Sequence, residues 1–213
     1  MTGRVTDEAG QPPTIQSARV RVTPRPLDGS QGFAPPGGGG AGPDNGRVRD
    51  DWSFSAVVQG PARLRATVPD GVIVKAIVQD GRDISDNVID LPSGQTLDRV
   101  QIVLSTKVTS VIGQLTDDKG APLPDGTILV FSTDADKWSE DSRFVKSARP
   151  DQQGKYEVRG LPPGEYLAVA VDYVEEGSWN DPEYLESIRR FGQRLKLGEG
   201  DAQTVSLKLI ATP

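Results

Sequence analysis

The sequence predicts an all-β fold of two tandem antiparallel β-sandwiches, the second with one short helix. Three observations predict it. Short apolar–polar alternations recur, the clearest being Tyr156 and Val158 set between Lys155, Glu157 and Arg159, and a period of two is that of a half-buried strand. With 24 glycines and 17 prolines in 213 residues, turns are frequent and long helices disfavoured. The chain also repeats itself: Gly3-Arg-Val-Thr-Asp-Glu-Ala-Gly-Gln-Pro12 returns as Gly113-Gln-Leu-Thr-Asp-Asp-Lys-Gly-Ala-Pro122, 110 residues on.

The elements follow in the same order in each copy. After the glycine-led segment come β-rich runs, Ala18–Thr23 and Thr127–Ser132. An acidic turn and an aromatic strand are next, Asp50-Asp-Trp-Ser-Phe54 in the first copy and Asp151–Tyr156 in the second. Asp151 bonds its own backbone and Gly154 tolerates positive φ, a turn with a mechanism. Each copy closes on an alternating strand, Val100–Leu104 and Val205–Leu209. The boundary falls between Ser105 and Ser110, giving modules 1–107 and 108–213.

The copies differ in detail. The first carries a Gly/Pro-rich segment, 34–46, which has too little apolar surface to offset its ordering entropy and reads as a mobile loop. It also has a turn, Asp80-Gly-Arg-Asp83, after the apolar strand Val72–Val78. In the second copy Leu161-Pro-Pro-Gly164 ends a strand, because proline lacks the ladder donor. The next strand has Tyr166, Ala168 and Ala170 on one face and Leu167, Val169 and Val171 on the other, so it is central. A helix near 181–191 is signalled by Asp181 as cap, Pro182 in the first turn and Gly192 as stop. Leu185, Ile188 and Phe191 form its apolar face, placed to cover an open edge or end of the second sandwich.

The run from Gly113 to Pro122, the strand to Ser132 and the segment Asp151-Gln-Gln-Gly-Lys-Tyr-Glu-Val-Arg-Gly-Leu-Pro-Pro-Gly-Glu-Tyr166 together resemble the carboxypeptidase regulatory-like domains. These are transthyretin-like, Ig-like β-sandwich modules of bacterial envelope and secreted proteins. The resemblance implies an accessory, non-catalytic module in an extracellular or periplasmic setting. It supplies no ligand.

Composition removes several function classes. With neither histidine nor cysteine, serine–histidine triads, thiol catalysis and ordinary zinc sites are excluded. The net charge of −6 disfavours non-specific nucleic-acid binding. No apolar run is long enough to insert into a membrane, and residues 1–20 lack a secretory apolar stretch, which suggests a portion of a longer exported, multidomain chain. No cofactor is implied.

Few constellations could carry chemistry. Asp134, Asp136, Glu140 and Asp141 surround Trp138 and invite a calcium reading, but a solvated acidic loop accounts for them better. Carboxylate pairs such as Asp117-Asp118, Glu175-Glu176 and Asp181 with Glu183 have no feature setting a glycosidase separation. The best candidate face for a ligand or partner is aromatic: Trp138, Tyr173, Trp179, Asn180 and Tyr184. Such rings stack on sugars or pack on proteins, and they equally fill cores. Three functions are carried forward: a structural or protein-binding module, a polysaccharide-binding module, and an auxiliary domain that folds or stabilises a peptidase or other hydrolase.

Two substitutions test this reading. Gly164→Val is expected to cost a few kcal/mol through backbone strain. Leu185→Asp is expected to lower the melting temperature of the second module, because it puts a charge on the face the helix buries; an unchanged melting temperature contradicts the packing.

Overall fold

The computed structural model describes residues 1–27, 45–58, 60–92, 95–139, 141–172, 174 and 177–210. Positions 34–44 of the Gly/Pro-rich segment lie outside the described residues. The chain divides into two units, Met1–Thr106 and Lys107–Pro213.

The first unit contains β1 (Thr2–Thr6), β2 (Arg21–Pro26), β3 (Ser53–Ser55), β4 (Ala62–Thr67), β5 (Ile73–Gln79), β6 (Arg82–Asp83), β7 (Val88–Ile89) and β8 (Val100–Ser105). They form one sheet of order β3-β1-β8-β5-β6 and another of order β2-β4-β7. Alternation sorts the side chains. Val5, Phe54, Ile77 and Ile102 of the larger sheet meet Val22, Leu64 and Ile89 of the smaller one in a single core cluster. β5 and β6 join through Asp80 and Gly81, both left-handed at φ 49° and 80°, the two-residue turn whose twist suits a hairpin.

The second unit contains β9 (Ser110–Thr116), β10 (Thr127–Ser132), β11 (Val145–Ala148), β12 (Lys155–Arg159), β13 (Gly164–Val171), β14 (Gln193–Leu197), β15 (Ala202–Thr204) and β16 (Leu207–Ile210), with one helix, α1 (Pro182–Ile188). The strands link in the order β11-β10-β13-β16-β9-β12, with β14 on β13 and β15 on β9. β10 and β13 are apolar on both faces, and both faces are covered. Ile128, Val130, Tyr166, Ala168 and Ala170 pack with Val111, Leu115 and Tyr156. Leu129, Phe131, Leu167 and Val169 pack on the opposite side with Leu185 and Ile188 of α1. The Asp181 carboxylate caps α1 by accepting the Glu183 N–H at 2.9 Å.

Four expectations are corrected. The pairing is not all antiparallel, since β1 runs parallel to β8, β9 parallel to β15 and β16, and β13 parallel to β16. Alternation looks the same in either strand direction, so it carries no information on this point. The helix covers a sheet face and not an edge or end. Phe191 leaves its apolar stripe, because the helix tightens into a 3₁₀ turn over Arg189–Phe191, and it is 42% exposed. The closing strand of the second unit splits into β15 and β16 around Val205 and Ser206.

Glycine is required at positions other than the one expected. At Gly164 the backbone is not left-handed, and an added Cβ meets nothing closer than the Tyr166 ring at 3.4 Å. Gly164→Val is therefore not expected to strain the backbone. At Gly3 an added Cβ would overlap the Val100 carbonyl oxygen and come within 2.5 Å of Phe54 Cζ. At Gly113 it would overlap the Val205 carbonyl oxygen and stand 2.9 Å from Tyr156 Oη. Phe54 is the cross-strand partner of Gly3, and Tyr156 that of Gly113. Each unit thus lays an aromatic ring from its neighbouring strand over a glycine in its first strand.

Gly113→Ala is expected to destabilise the second unit by about 2–4 kcal/mol in urea denaturation, through forced displacement of backbone and ring. Gly164→Ala is expected to change stability by less than about 1 kcal/mol. Equal effects at the two sites would contradict the close approach at Gly113.

Candidate functional site

The aromatic candidates of the second unit separate on inspection. Trp138 is 4% exposed, and its indole N–H donates to the Ser132 carbonyl at 2.7 Å. Its ring and that of Phe131 meet in a T-shaped arrangement at a centroid distance of 5.5 Å. The Arg189 guanidinium lies 5.6 Å from the Trp138 ring and donates to the Thr133 carbonyl at 3.0 Å. Trp138 is thus walled in and offers no accessible face. Trp179 and Tyr184 are half-buried against the same cluster. Asn180 is half-buried beside them, and its backbone N–H donates to the Gly177 carbonyl at 2.9 Å. Tyr173 lies outside the described residues. The Tyr184 hydroxyl is buried without a hydrogen-bond partner, and burial raises its pKa.

The carboxylates have structural duties. Asp117 accepts the N–H groups of Lys119 and Ala121 at 2.9 and 2.8 Å. Asp151 does the same for Gln153 and Lys155, both at 2.9 Å. Asp134 accepts the Asp136 N–H at 3.2 Å and pairs with the Lys137 ammonium at 3.5 Å. Among the described residues, no group of three acidic side chains is placed to hold a metal. Glu140, Glu175 and Glu176 lie outside them.

Sequence reading missed one concave surface. An open hollow of about 630 Å³ lies over β9, β12 and β15, where Ile112 stands among Lys155, Glu157, Thr204 and Ser206. Ile112 is 39% exposed. Acidic and basic groups alternate here, so the hollow has no dominant charge, and nothing in it pairs a nucleophile with a base. It went unseen because it depends on β15 lying beside β9, a register that local patterns do not encode.

Beneath this surface, the Tyr156 hydroxyl donates to the Val205 carbonyl. That carbonyl sits in the gap between β15 and β16, so the phenol serves an acceptor at the break in the strand. Burial pushes the Tyr156 pKa well above its ordinary value of 10.0. At the other end of the β12–β13 connection, the Tyr166 hydroxyl donates to the Pro162 carbonyl at 2.6 Å, the arrangement called a tyrosine corner in β-sandwich domains.

No protein-family model matches the chain, and no curated protein matches it. Solved structures with some likeness include a candidate carbohydrate-binding protein from Pseudomonas aeruginosa, 14% identical, with 47% of this chain and 87% of that one covered and a TM-score of 0.31. A DUF3823 family protein from Parabacteroides merdae is also 14% identical, with 47% and 45% covered and a TM-score of 0.29. The major pilin subunit BcpA of Bacillus cereus is 12% identical, with 70% and 41% covered and a TM-score of 0.34. The match spans less than half the length of the latter two. None of these likenesses is close enough to transfer a function. Among the described residues, no helix is long and apolar enough to cross a membrane.

The raised pKa of Tyr156 has a signed consequence. The unfolded chain releases this proton near pH 10, while the folded unit holds it to higher pH, so the stability that this tyrosine contributes is full below about pH 10 and is lost as pH rises above it. Tyr156→Phe is expected to cost about 1 kcal/mol near neutral pH and to flatten the alkaline decline. Urea denaturation between about pH 8 and pH 11 measures both effects; an alkaline limb unchanged by the substitution would contradict the burial of this hydroxyl.

Proposed function

We propose that the chain is a pair of β-sandwich modules, 1–107 and 108–213, of the carboxypeptidase regulatory-like kind. Together they form a non-catalytic structural or interaction part of a longer exported bacterial protein. Recurrence carries the reading. The aspartate turn of Asp117 is repeated at Asp7, which accepts the N–H groups of Ala9 and Gln11 at 2.9 and 2.8 Å. The Gly3–Phe54 pair is repeated as Gly113–Tyr156. The Val5 N–H donates to the Trp52 carbonyl at 2.9 Å, as the Leu115 N–H donates to that of Gly154 at 2.7 Å.

Every recurring device holds a sheet together, and none presents a reacting group. Duplication of a framework without duplication of any chemistry suits a protein whose work is done by shape and surface. The polar groups point the same way, since the aspartates of the turns and the hydroxyls of Tyr156 and Tyr166 are engaged with backbone.

Separate expression of 1–107 and 108–213 tests the proposal. Each fragment is expected to unfold in a single cooperative transition, and neither is expected to turn over peptide or glycoside substrates. A fragment that is unfolded alone would contradict the modular reading, and turnover that co-purifies with either fragment would contradict the non-catalytic one.

A further inference from the structure

An edge strand offers unpaired backbone groups to any other strand that approaches. Most edges of this molecule are blunted in ordinary ways. β3, β6, β7 and β15 are two or three residues long. β2 carries Pro24 and Pro26, which have no N–H to offer. β12 exposes Lys155, Glu157 and Arg159, and β14 exposes Arg194 and Lys196. β11 has neither proline nor an outward row of charges. Among the described residues it pairs with β10 alone, and β10 is buried at all six positions. Val145 on one face and Ala148 on the other extend those apolar faces to the rim of the sheet.

Register decides where the one charge of β11 points. Directly opposed residues of an antiparallel pair share a face. Val145 stands opposite Phe131, Lys146 opposite Val130, Ser147 opposite Leu129 and Ala148 opposite Ile128. Val130 and Ile128 belong to the core shared with β9 and β12, whereas Phe131 and Leu129 face α1. Lys146 therefore lies on the inner face, toward the core of β9 and β12. It is half-buried, and burial lowers its pKa below the ordinary 10.5. Among the described residues no carboxylate pairs with it. An unpaired ammonium turned toward an apolar core costs stability, and an inward charge is one of the devices that keep an edge from pairing.

We propose that β11 is an edge that fits a second copy of this chain, and that the charge of Lys146 keeps it closed. The inference does not rest on the modular reading above. Two β11 strands would pair antiparallel about a two-fold axis normal to the sheet, which leaves the same face of each copy on the same side. Opposed residues must then share a face, so the pairing centres on Lys146 or on Ser147. Centred on Lys146, the two ammoniums stand directly opposite. Centred on Ser147, each stands opposite an Ala148, and the two are diagonal neighbours. Either way like charges meet on an apolar face with no counter-ion, which opposes the pairing. With the charge removed, the same registers extend the apolar faces of β10 and β11 from one copy into the next.

The test is sedimentation velocity of the full chain over a range of concentrations. Lys146→Met keeps the apolar stem and removes the charge. It is expected to self-associate about tenfold or more tightly than the parent, with a melting temperature no lower. Lys146→Arg keeps the charge and is expected to behave as the parent does. The chain has no cysteine, so a nitroxide on Ser147→Cys reports the contact. It is expected to give a short label-to-label distance with Lys146→Met and none with Lys146 retained. If Lys146→Met melts early, Lys146→Gln is expected to associate in the same way. Association unchanged in both neutral variants, association of Lys146→Arg as tight as that of Lys146→Met, or labels far apart in the associated species would overturn the proposal. Capture of an acidic peptide strand by the parent, lost with Lys146→Met, would overturn the choice of a second copy.

Discussion

Each unit depends on one close approach, an aromatic ring laid across a glycine. Gly3 and Gly113 sit in strands flanked on both sides, β1 between β3 and β8, and β9 between β12 and the β15–β16 pair. The strand on one flank supplies the ring, and that on the other presents a carbonyl where the glycine's Cβ would be. Only a residue without a side chain lets both neighbours come this near. The ring covers the glycine and restores the apolar contact it lacks, a known remedy for glycine in sheets. In the second unit the ring also carries a hydroxyl, which serves the Val205 carbonyl at the point where the closing strand divides.

From that constraint the rest follows. With the first strand held, the parallel pairing of first and last strands is set, and the remaining strands pack their alternating faces inward. The first unit accepts strain to keep the pattern. Trp52 occupies the place of Gly154 and takes the same left-handed backbone, at φ 65° against 71°. A bulky side chain rarely does so, but the Trp52 ring is 8% exposed in the core cluster, where its burial offsets the strain.

Much of this was legible in the residues. β13 was recognisable as central because both of its faces are apolar, and the helix was marked by its cap and proline. The aspartate turns were readable because aspartate and glycine at those spacings have a local mechanism. What was not legible is long-range. The direction of β1 against β8, the neighbourhood of β15 and β9, and the overlap that forbids a side chain at Gly113 all depend on segments far apart in sequence. Gly164 was misjudged for the same reason, since a glycine next to prolines resembles a strained turn until its φ and its neighbours are known. Trp138 belongs to one core cluster and Trp179 and Tyr184 pack against it, with Trp138 turned inward; composition does not distinguish a ring that covers a core from one that waits for a ligand.

The rings that recur between units, Phe54 and Tyr156, are buried, and the recurring aspartates are engaged with backbone, which leaves the outer surfaces to carry whatever distinguishes one unit from the other. A double-mutant cycle measures the coupling of glycine and ring. Gly113→Ala, Tyr156→Phe and the double variant would be compared by urea denaturation. Tyr156→Phe is expected to cost about 1 kcal/mol in the parent and close to nothing once alanine occupies position 113, because the Val205 carbonyl has already been displaced. Strict additivity of the two substitutions would contradict it.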